Sequence, residues 1–188
     1  MRKTVQVLLL LVMLAAAIWI IIDSRQIADT GTGNGAAILW DNEFEAFVSS
    51  LSANCENDME KVTVYREWVI ENISYDYACE TLFYQTFDVK TVLQKRKGVC
   101  FDYACLFAAM CRSQGIPCYV LDGTYRTDNT FRHAWNRVYA EGQWWSIDAT
   151  RDCIARDEGS EEMGFVQIGA DPKAEDKYFI VQDRKSVV

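Results

Sequence analysis

The chain has 188 residues, of which 50% are hydrophobic and 24% charged, so it is long enough for one domain whose core needs neither disulfides nor a metal. Its net charge of −8 provides no basic surface to neutralise phosphates, and no cluster of Lys and Arg is interleaved with aromatic residues. This composition argues against nucleic acid as a partner.

An apolar run from Val5 to Ile22 follows Arg2 and Lys3, and Gln6 is its one polar residue. As a helix the run would be roughly 27 Å long, against a hydrocarbon core of ~30 Å. We therefore predict that residues 1–22 form a membrane anchor, with the basic residues in the cytoplasm and the rest of the chain outside it. The alternatives are a cleaved signal segment, which would make the protein secreted, and a helix buried in the domain.

Residues 23–37 are mostly polar or small, which predicts a flexible linker and leaves residues 38–188 as the domain. Apolar residues at helical spacing then predict two amphipathic helices, one over 44–51 and one over 62–73. The stretch FDVKTVLQKRKG predicts a short helix that begins at Asp88 and ends at Gly98.

The segment from Cys100 to Cys111 is apolar nearly all round, which predicts a buried helix ended by Gly115-Ile116-Pro117. After that turn the pattern changes to β-rich segments at 119–121, 134–139 and 144–147, with weaker ones at 165–168 and 178–181. Helices followed by strands indicate an α+β domain with an antiparallel sheet.

Cys100 stands at the start of the buried helix, where unpaired backbone N–H groups and the positive end of the helix dipole favour a thiolate. Cys105 and Cys111 lie inside the same helix, where packing is the expected role of a cysteine. The position alone leaves open whether Cys100 is a nucleophile or one more core residue.

His133, the chain's one histidine, is the available base for a thiolate nucleophile. Glu141-Gly142 predicts a two-residue hairpin turn that pairs Ala140 with Gln143, and the same register pairs Trp135 with Asp148 and His133 with Thr150. Asp148 would then be a diagonal neighbour of His133, ~7–8 Å away at the backbone. Trp135, Tyr139 and Trp144 would share the histidine's face and shield it from water.

Three motifs carry a family resemblance: GVCFDYACLFAAMCRSQGIPCYVLDG, HAWNRVY and WWSIDAT, in this order. They resemble the transglutaminase-like superfamily over roughly Lys61 to Thr150. The resemblance implies a papain-like core with Cys100 at the N-terminus of a central helix packed on the sheet. It makes Cys100 the nucleophile, His133 the base and Asp148 the residue that orients the base. Beyond the Cys100 backbone N–H it locates no second oxyanion donor, for which Tyr75 and Tyr77 are guesses.

The expected activity is that of a cysteine enzyme that forms a thioester with a peptide or carboxamide carbonyl, with a protein or peptide as substrate. We expect hydrolysis of this thioester. One alternative is transfer to an amine, which cross-links proteins; the other is a non-catalytic module that binds peptide or cell-surface polymer. No cofactor is expected, and one histidine with scattered cysteines makes a metal site improbable. The pairing of the other six cysteines stays open.

Overall fold

A computed structural model describes residues 38–78, 89–125, 132–168 and 178–183. Within these ranges no helix is both long and apolar enough to cross a membrane. The predicted anchor (1–22) and linker (23–37) lie outside the described residues, and both stay predictions.

Five helices are described: α1 (Asn42–Leu51), α2 (Asp58–Asn72), α3 (Val89–Lys95), α4 (Cys100–Ser113) and α5 (Ala149–Glu158). The two predicted amphipathic helices are α1 and α2. Each begins at a side-chain cap, since the Asp41 carboxylate accepts the Phe44 N–H and the Asn57 side chain accepts the Glu60 N–H, both at 2.9 Å. Their apolar faces are buried against the body of the domain.

The short predicted helix is α3, but the prediction that it runs to Gly98 was wrong. It ends at Lys95, because Arg96 adopts a left-handed backbone with φ of 53°. Gly98 lies instead in β2 (Lys97–Gly98), which pairs in parallel with β1 (Ser74–Tyr75). Asp88, where the helix was predicted to begin, lies outside the described residues. The two-residue pairing of β1 with β2 carries no hydrophobic period, so the sequence did not reveal it.

Helix α4 is the centre of the core. Every residue from Phe101 to Arg112 is buried, as the apolar run predicted, and Gly115 with φ of 76° ends the helical path. One face of α4 packs on the sheet. There the side-chain amide of Asn136 in β4 donates a hydrogen bond to the Ala104 carbonyl, with 2.9 Å between nitrogen and oxygen. The helix that carries Cys100 is therefore fixed along its length by the domain interior.

The main sheet has five antiparallel strands in the order β6-β5-β4-β3-β7. These are β3 (Cys118–Tyr125), β4 (Arg132–Ala140), β5 (Gln143–Ile147), β6 (Val166–Gln167) and β7 (Tyr178–Asp183). The predicted hairpin turn is confirmed: Glu141 and Gly142 both have positive φ, and Ala140 pairs with Gln143. The α+β class and the antiparallel sheet are thus as predicted.

The β4–β5 ladder runs from Ala140–Gln143 only to Asn136–Ile147. The predicted pairing of His133 with Thr150 was wrong, because α5 begins at Ala149 and takes Thr150 into its first turn. Asp148 lies between strand and helix and caps α5, where its Oδ1 accepts the Arg151 N–H at 3.0 Å.

Candidate active site

Cys100 is the first residue of α4 and is half-buried. The preceding residue, Val99, caps the helix with its backbone in an extended conformation. Because the first N–H groups of a helix have no intrahelical acceptor, the Cys100 N–H is available to a ligand or a reacting oxygen. The thiol therefore lies next to a backbone donor at the positive end of the helix dipole.

Asp102, in the first turn of the same helix, holds the backbone that leads into Cys100. Its Oδ2 accepts the Val99 N–H at 2.8 Å. The carboxyl is 3% exposed, and its Oδ1 has no hydrogen-bond partner among the described residues. Burial raises the pKa of Asp102 to about 6, although the Val99 N–H and the charge of Lys95 lower it and Asp76 adds to the rise.

Gly98 has a steric reason to be glycine. A Cβ at this position would lie 2.6 Å from the Asp102 Cβ and 2.8 Å from Oδ2, both well inside van der Waals contact. The backbone of β2 and the Asp102 side chain thus touch directly. The glycine two residues before the cysteine is explained by this contact.

His133 and Asp148 meet in a buried pair. The His133 Nε2 lies 2.6 Å from the Asp148 Oδ2, and the two side chains are 2% and 1% exposed. With Nε2 engaged by the carboxylate, the other ring nitrogen, Nδ1, is left for the Cys100 side chain, which also hydrogen-bonds the imidazole. The structure therefore brings all three predicted site residues together.

The charge state of His133 follows from these neighbours. Burial alone would lower the pKa of the imidazole, but the charge of Asp148 and the hydrogen bond to it outweigh burial, and Cys100 adds to the rise. The pKa of His133 is raised to about 10. The Asp148 carboxylate thus favours the charged form of the imidazole, whose other neighbour is the Cys100 side chain.

Trp135 covers the imidazole. Its ring lies nearly parallel to that of His133, at 6.1 Å between centroids and 10° between planes. Tyr139 and Trp144 pack instead against each other, 5.2 Å apart, further along the hairpin. Trp144 also stacks on Tyr119. Of the three aromatic residues predicted to shield His133, Trp135 is therefore the one that packs against it. Six residues of extended strand place Tyr139 roughly 20 Å from His133.

The two tyrosines named as possible oxyanion donors lie in different environments. Tyr75 pairs with Gly98 in the small sheet and is buried, whereas Tyr77 is 62% exposed. Their rings contact each other edge to face. Among the described residues, no three His, Cys, Asp or Glu side chains are arranged to hold a metal ion.

Asp102 is the site residue that the sequence analysis missed. An acidic residue three positions after a helix cap is a recognisable signal, since its side chain can reach back to the cap N–H. The signal was weak here because the cap itself is Val99, which has no side-chain acceptor to complete the reciprocal pattern.

A sequence model described as the transglutaminase-like superfamily matches residues 45–149, more than half of the chain, and the match spans Cys100, His133 and Asp148. The chain belongs to the transglutaminase-like superfamily. The predicted resemblance is thereby confirmed, and so is the predicted papain-like fold, in which the helix that carries Cys100 packs on an antiparallel sheet.

Individual relatives are similar over part of their length. The chain is 35% identical to the mouse (Mus musculus) kyphoscoliosis peptidase over 113 residues, which are 55% of this chain and 17% of that protein. It is 31% identical to a Drosophila melanogaster peptide-N(4)-(N-acetyl-beta-glucosaminyl)asparagine amidase over 77 residues, 40% of this chain and 11% of the relative. A solved structure of a candidate cysteine protease from Cytophaga hutchinsonii superposes with a TM-score of 0.52 at 26% identity, covering 68% of this chain and 41% of that one. The chain thus spans less than a fifth of the two curated relatives.

Proposed function

We propose that the chain is a cysteine hydrolase that cleaves peptide or carboxamide bonds through Cys100, His133 and Asp148. The observation that carries this proposal is the buried His133–Asp148 contact of 2.6 Å beside a cysteine at a helix N-terminus. A peptidase and an amidase among the relatives support the same chemistry. All three chemical roles, nucleophile, proton carrier and orienting carboxylate, are then filled by adjacent side chains.

The first half of the reaction uses the protonated imidazole. The Cys100 sulfur attacks the substrate carbonyl as a thiolate, a C–S bond forms, and the carbonyl oxygen takes negative charge next to the Cys100 N–H. As the C–N bond breaks, His133 gives its Nδ1 proton to the leaving amine or ammonia. Asp148 stays ionised and holds Nε2, so that Nδ1 keeps facing the sulfur.

The second half reverses the direction of the proton. His133, now neutral, takes a proton from a water molecule as the water oxygen attacks the thioester carbon. The C–S bond breaks, a carboxylic acid leaves, and the thiolate–imidazolium pair is restored. An amine could enter in place of water and yield a cross-link, so hydrolysis and transfer are two outcomes of one intermediate.

The test is to supply a glutamine-containing peptide with an excess of a primary amine and to follow the products by mass. We expect free acid, or peptide cleaved at an amide bond, as the main product. Amine adduct as the main product would make the chain an acyl transferase. If neither product forms and Cys100 remains unacylated, the result favours the alternative of a non-catalytic binding module.

Two cysteine variants provide the matched comparison. Cys100→Ala should abolish product formation, because it removes the sulfur that forms the thioester. Cys55→Ala removes a half-buried thiol after α1 and should leave the rate unchanged. Equal activity of the Cys100→Ala variant and the unmodified protein would refute the proposal.

A further inference from the structure

We infer that Asp102 is a positioning residue of the active site: its carboxyl group holds the Gly98–Val99 peptide, and thereby orients the next peptide so that the Cys100 N–H points at the developing oxyanion. The inference rests on the proposed function, in which Cys100 is the nucleophile. It adds a residue outside the Cys100–His133–Asp148 set and gives it a separate task. Asp102 acts on the backbone donor, whereas Asp148 acts on the base.

Asp102 contacts the two residues that precede the thiol, Gly98 and Val99. Oδ2 accepts the Val99 N–H at 2.8 Å, and the side chain lies directly against the Cα of Gly98. The Val99 carbonyl is in turn fixed by the Tyr103 N–H at 3.1 Å. The Gly98–Val99 and Val99–Cys100 peptides are thereby both tied to the first turn of α4.

The small sheet holds the same segment from outside the helix. Gly98 pairs with Tyr75, and its carbonyl accepts the Asp76 N–H at 2.9 Å. Gly98 thus contacts both β1 and the Asp102 side chain, and a side chain at position 98 would collide with Asp102. A peptide plane clamped in this way costs no reorganisation when charge develops on the reacting carbonyl.

The burial of Asp102 indicates a role beyond ordinary helix capping. An exposed carboxylate at this position would cap α4 equally well without the desolvation that raises its pKa. Here the carboxyl is 3% exposed and one of its oxygens, Oδ1, lacks a hydrogen-bond partner in the described part of the chain. The site thus keeps a costly buried acid where it contacts the backbone of the nucleophile.

Two reactions of the Cys100 thiol can distinguish a positioning role of Asp102 from a general role in the stability of α4. Acylation of Cys100 by p-nitrophenyl acetate passes through an oxyanion: the C–S bond forms, the C–O bond breaks and p-nitrophenolate leaves. Alkylation by iodoacetamide is a displacement at saturated carbon, in which a C–S bond forms and iodide leaves, and it needs no oxyanion donor. The ratio of the two rate constants therefore reports the orientation of the Cys100 N–H.

We expect Asp102→Ala to slow acylation about 100-fold, the usual effect of misplacing an oxyanion donor, and to leave alkylation nearly unchanged. Asp102→Asn keeps an oxygen acceptor for the Val99 N–H and should lose about threefold or less. Asp41→Ala removes the carboxylate cap of α1 in the same way, far along the chain from the thiol, and controls for lost stability. Its two rates should match those of the unmodified protein.

An equal fall of both rates in Asp102→Ala would overturn the inference, since it would show a general disturbance of α4. Unchanged acylation in Asp102→Ala would overturn it as well. The proposed function has a separate readout: if the unmodified protein cleaves no peptide or carboxamide while the acylation ratio still falls in Asp102→Ala, hydrolysis fails and the positioning role stands.

Discussion

Asp148 and Asp152 lie one helical turn apart at the start of α5, both are almost fully buried, and their partners differ in kind. Asp148 contacts His133, an imidazole that can release its proton. Asp152 contacts Arg66, a guanidinium that stays charged, through Nε at 2.9 Å and a terminal nitrogen at 2.8 Å. The first pair can take part in proton transfer, whereas the second can only hold elements together.

The surroundings of the two pairs follow this division. Asp152 also accepts the Met163 N–H at 2.6 Å, and Arg66 contacts Glu162, so this pair links α2, α5 and the segment after α5. The imidazole that Asp148 contacts has the Cys100 side chain as a second neighbour. Burial by itself therefore does not identify a functional carboxylate; a titratable partner with a second reactive neighbour does.

The largest expected effect comes from exchanging each carboxylate for its amide. Asp148→Asn should lower the hydrolysis rate by about 10³–10⁴-fold, because His133 loses the charge that holds its useful tautomer. The fold should persist, since Asn still caps α5. Asp152→Asn should keep activity within about tenfold and lower the melting temperature instead. Measurements of turnover and of thermal unfolding test whether Asp148→Asn loses activity while Asp152→Asn loses stability.

The comparison fails if both variants lose activity to the same degree, because the two carboxylates would then form one functional unit. It also fails if Asp148→Asn is fully active, which would make Asp148 a structural cap of α5.

Removing Arg66 should give the next largest effect, on stability. Arg66→Ala leaves Asp152 buried without its cation, a change that typically costs about 3–5 kcal/mol. The loss should shrink as the pH falls, because a protonated Asp152 no longer needs a counter-charge. Urea unfolding at two pH values measures both effects. If Arg66→Ala lowers the free energy of unfolding by less than about 1 kcal/mol at neutral pH, the Arg66–Asp152 pair contributes no more than an exposed ion pair does. Asp152 would then not be a structural counterpart to Asp148.

Much of this molecule could be predicted from its sequence, because the informative residues repeat with a clear period. The apolar run of α4 and the Glu141-Gly142 turn each follow a local rule, and the register of that hairpin put His133 near Asp148. The helix that begins at Ala149 has a weak hydrophobic pattern and was not predicted; the predicted pairing was extended to Thr150 instead. Asp148 still reached His133, because a cap residue at the end of β5 lies close to the position that continued pairing would have given it.

Non-local contacts account for what the sequence did not reveal. The pairing of Tyr75 with Gly98 and of Arg66 with Asp152 joins segments far apart in the chain, with no periodic signal at either end. Asp102 was hidden for another reason: a buried acid next to a glycine is explained only when the approach of the Asp102 side chain to the Gly98 Cα is known.

Asp102 is a buried carboxyl that has no ion-pair partner at salt-bridge distance among the described residues, and its pH dependence is the smallest effect expected. Its pKa is about 6 in the folded chain against 3.8 for a free carboxyl, so the folded state favours the protonated form. This contribution to stability is fully present below the unfolded pKa and is lost as the pH rises through about 6. Its size is about 3 kcal/mol, from 1.36 kcal/mol per unit of pKa difference.

Asp102→Asn cannot titrate, so the free energy of unfolding of the unmodified protein, relative to this variant, should fall by about 2 kcal/mol between pH 4 and pH 7, the rest of the loss lying below pH 4. Lys95 and Asp76, which also face the carboxyl, are present in both proteins and cancel in the difference. Urea unfolding at pH 4, 5, 6 and 7 gives the curve. A difference that stays constant over this range would show that Asp102 remains ionised throughout, and that an unseen partner balances its charge as Arg66 balances that of Asp152.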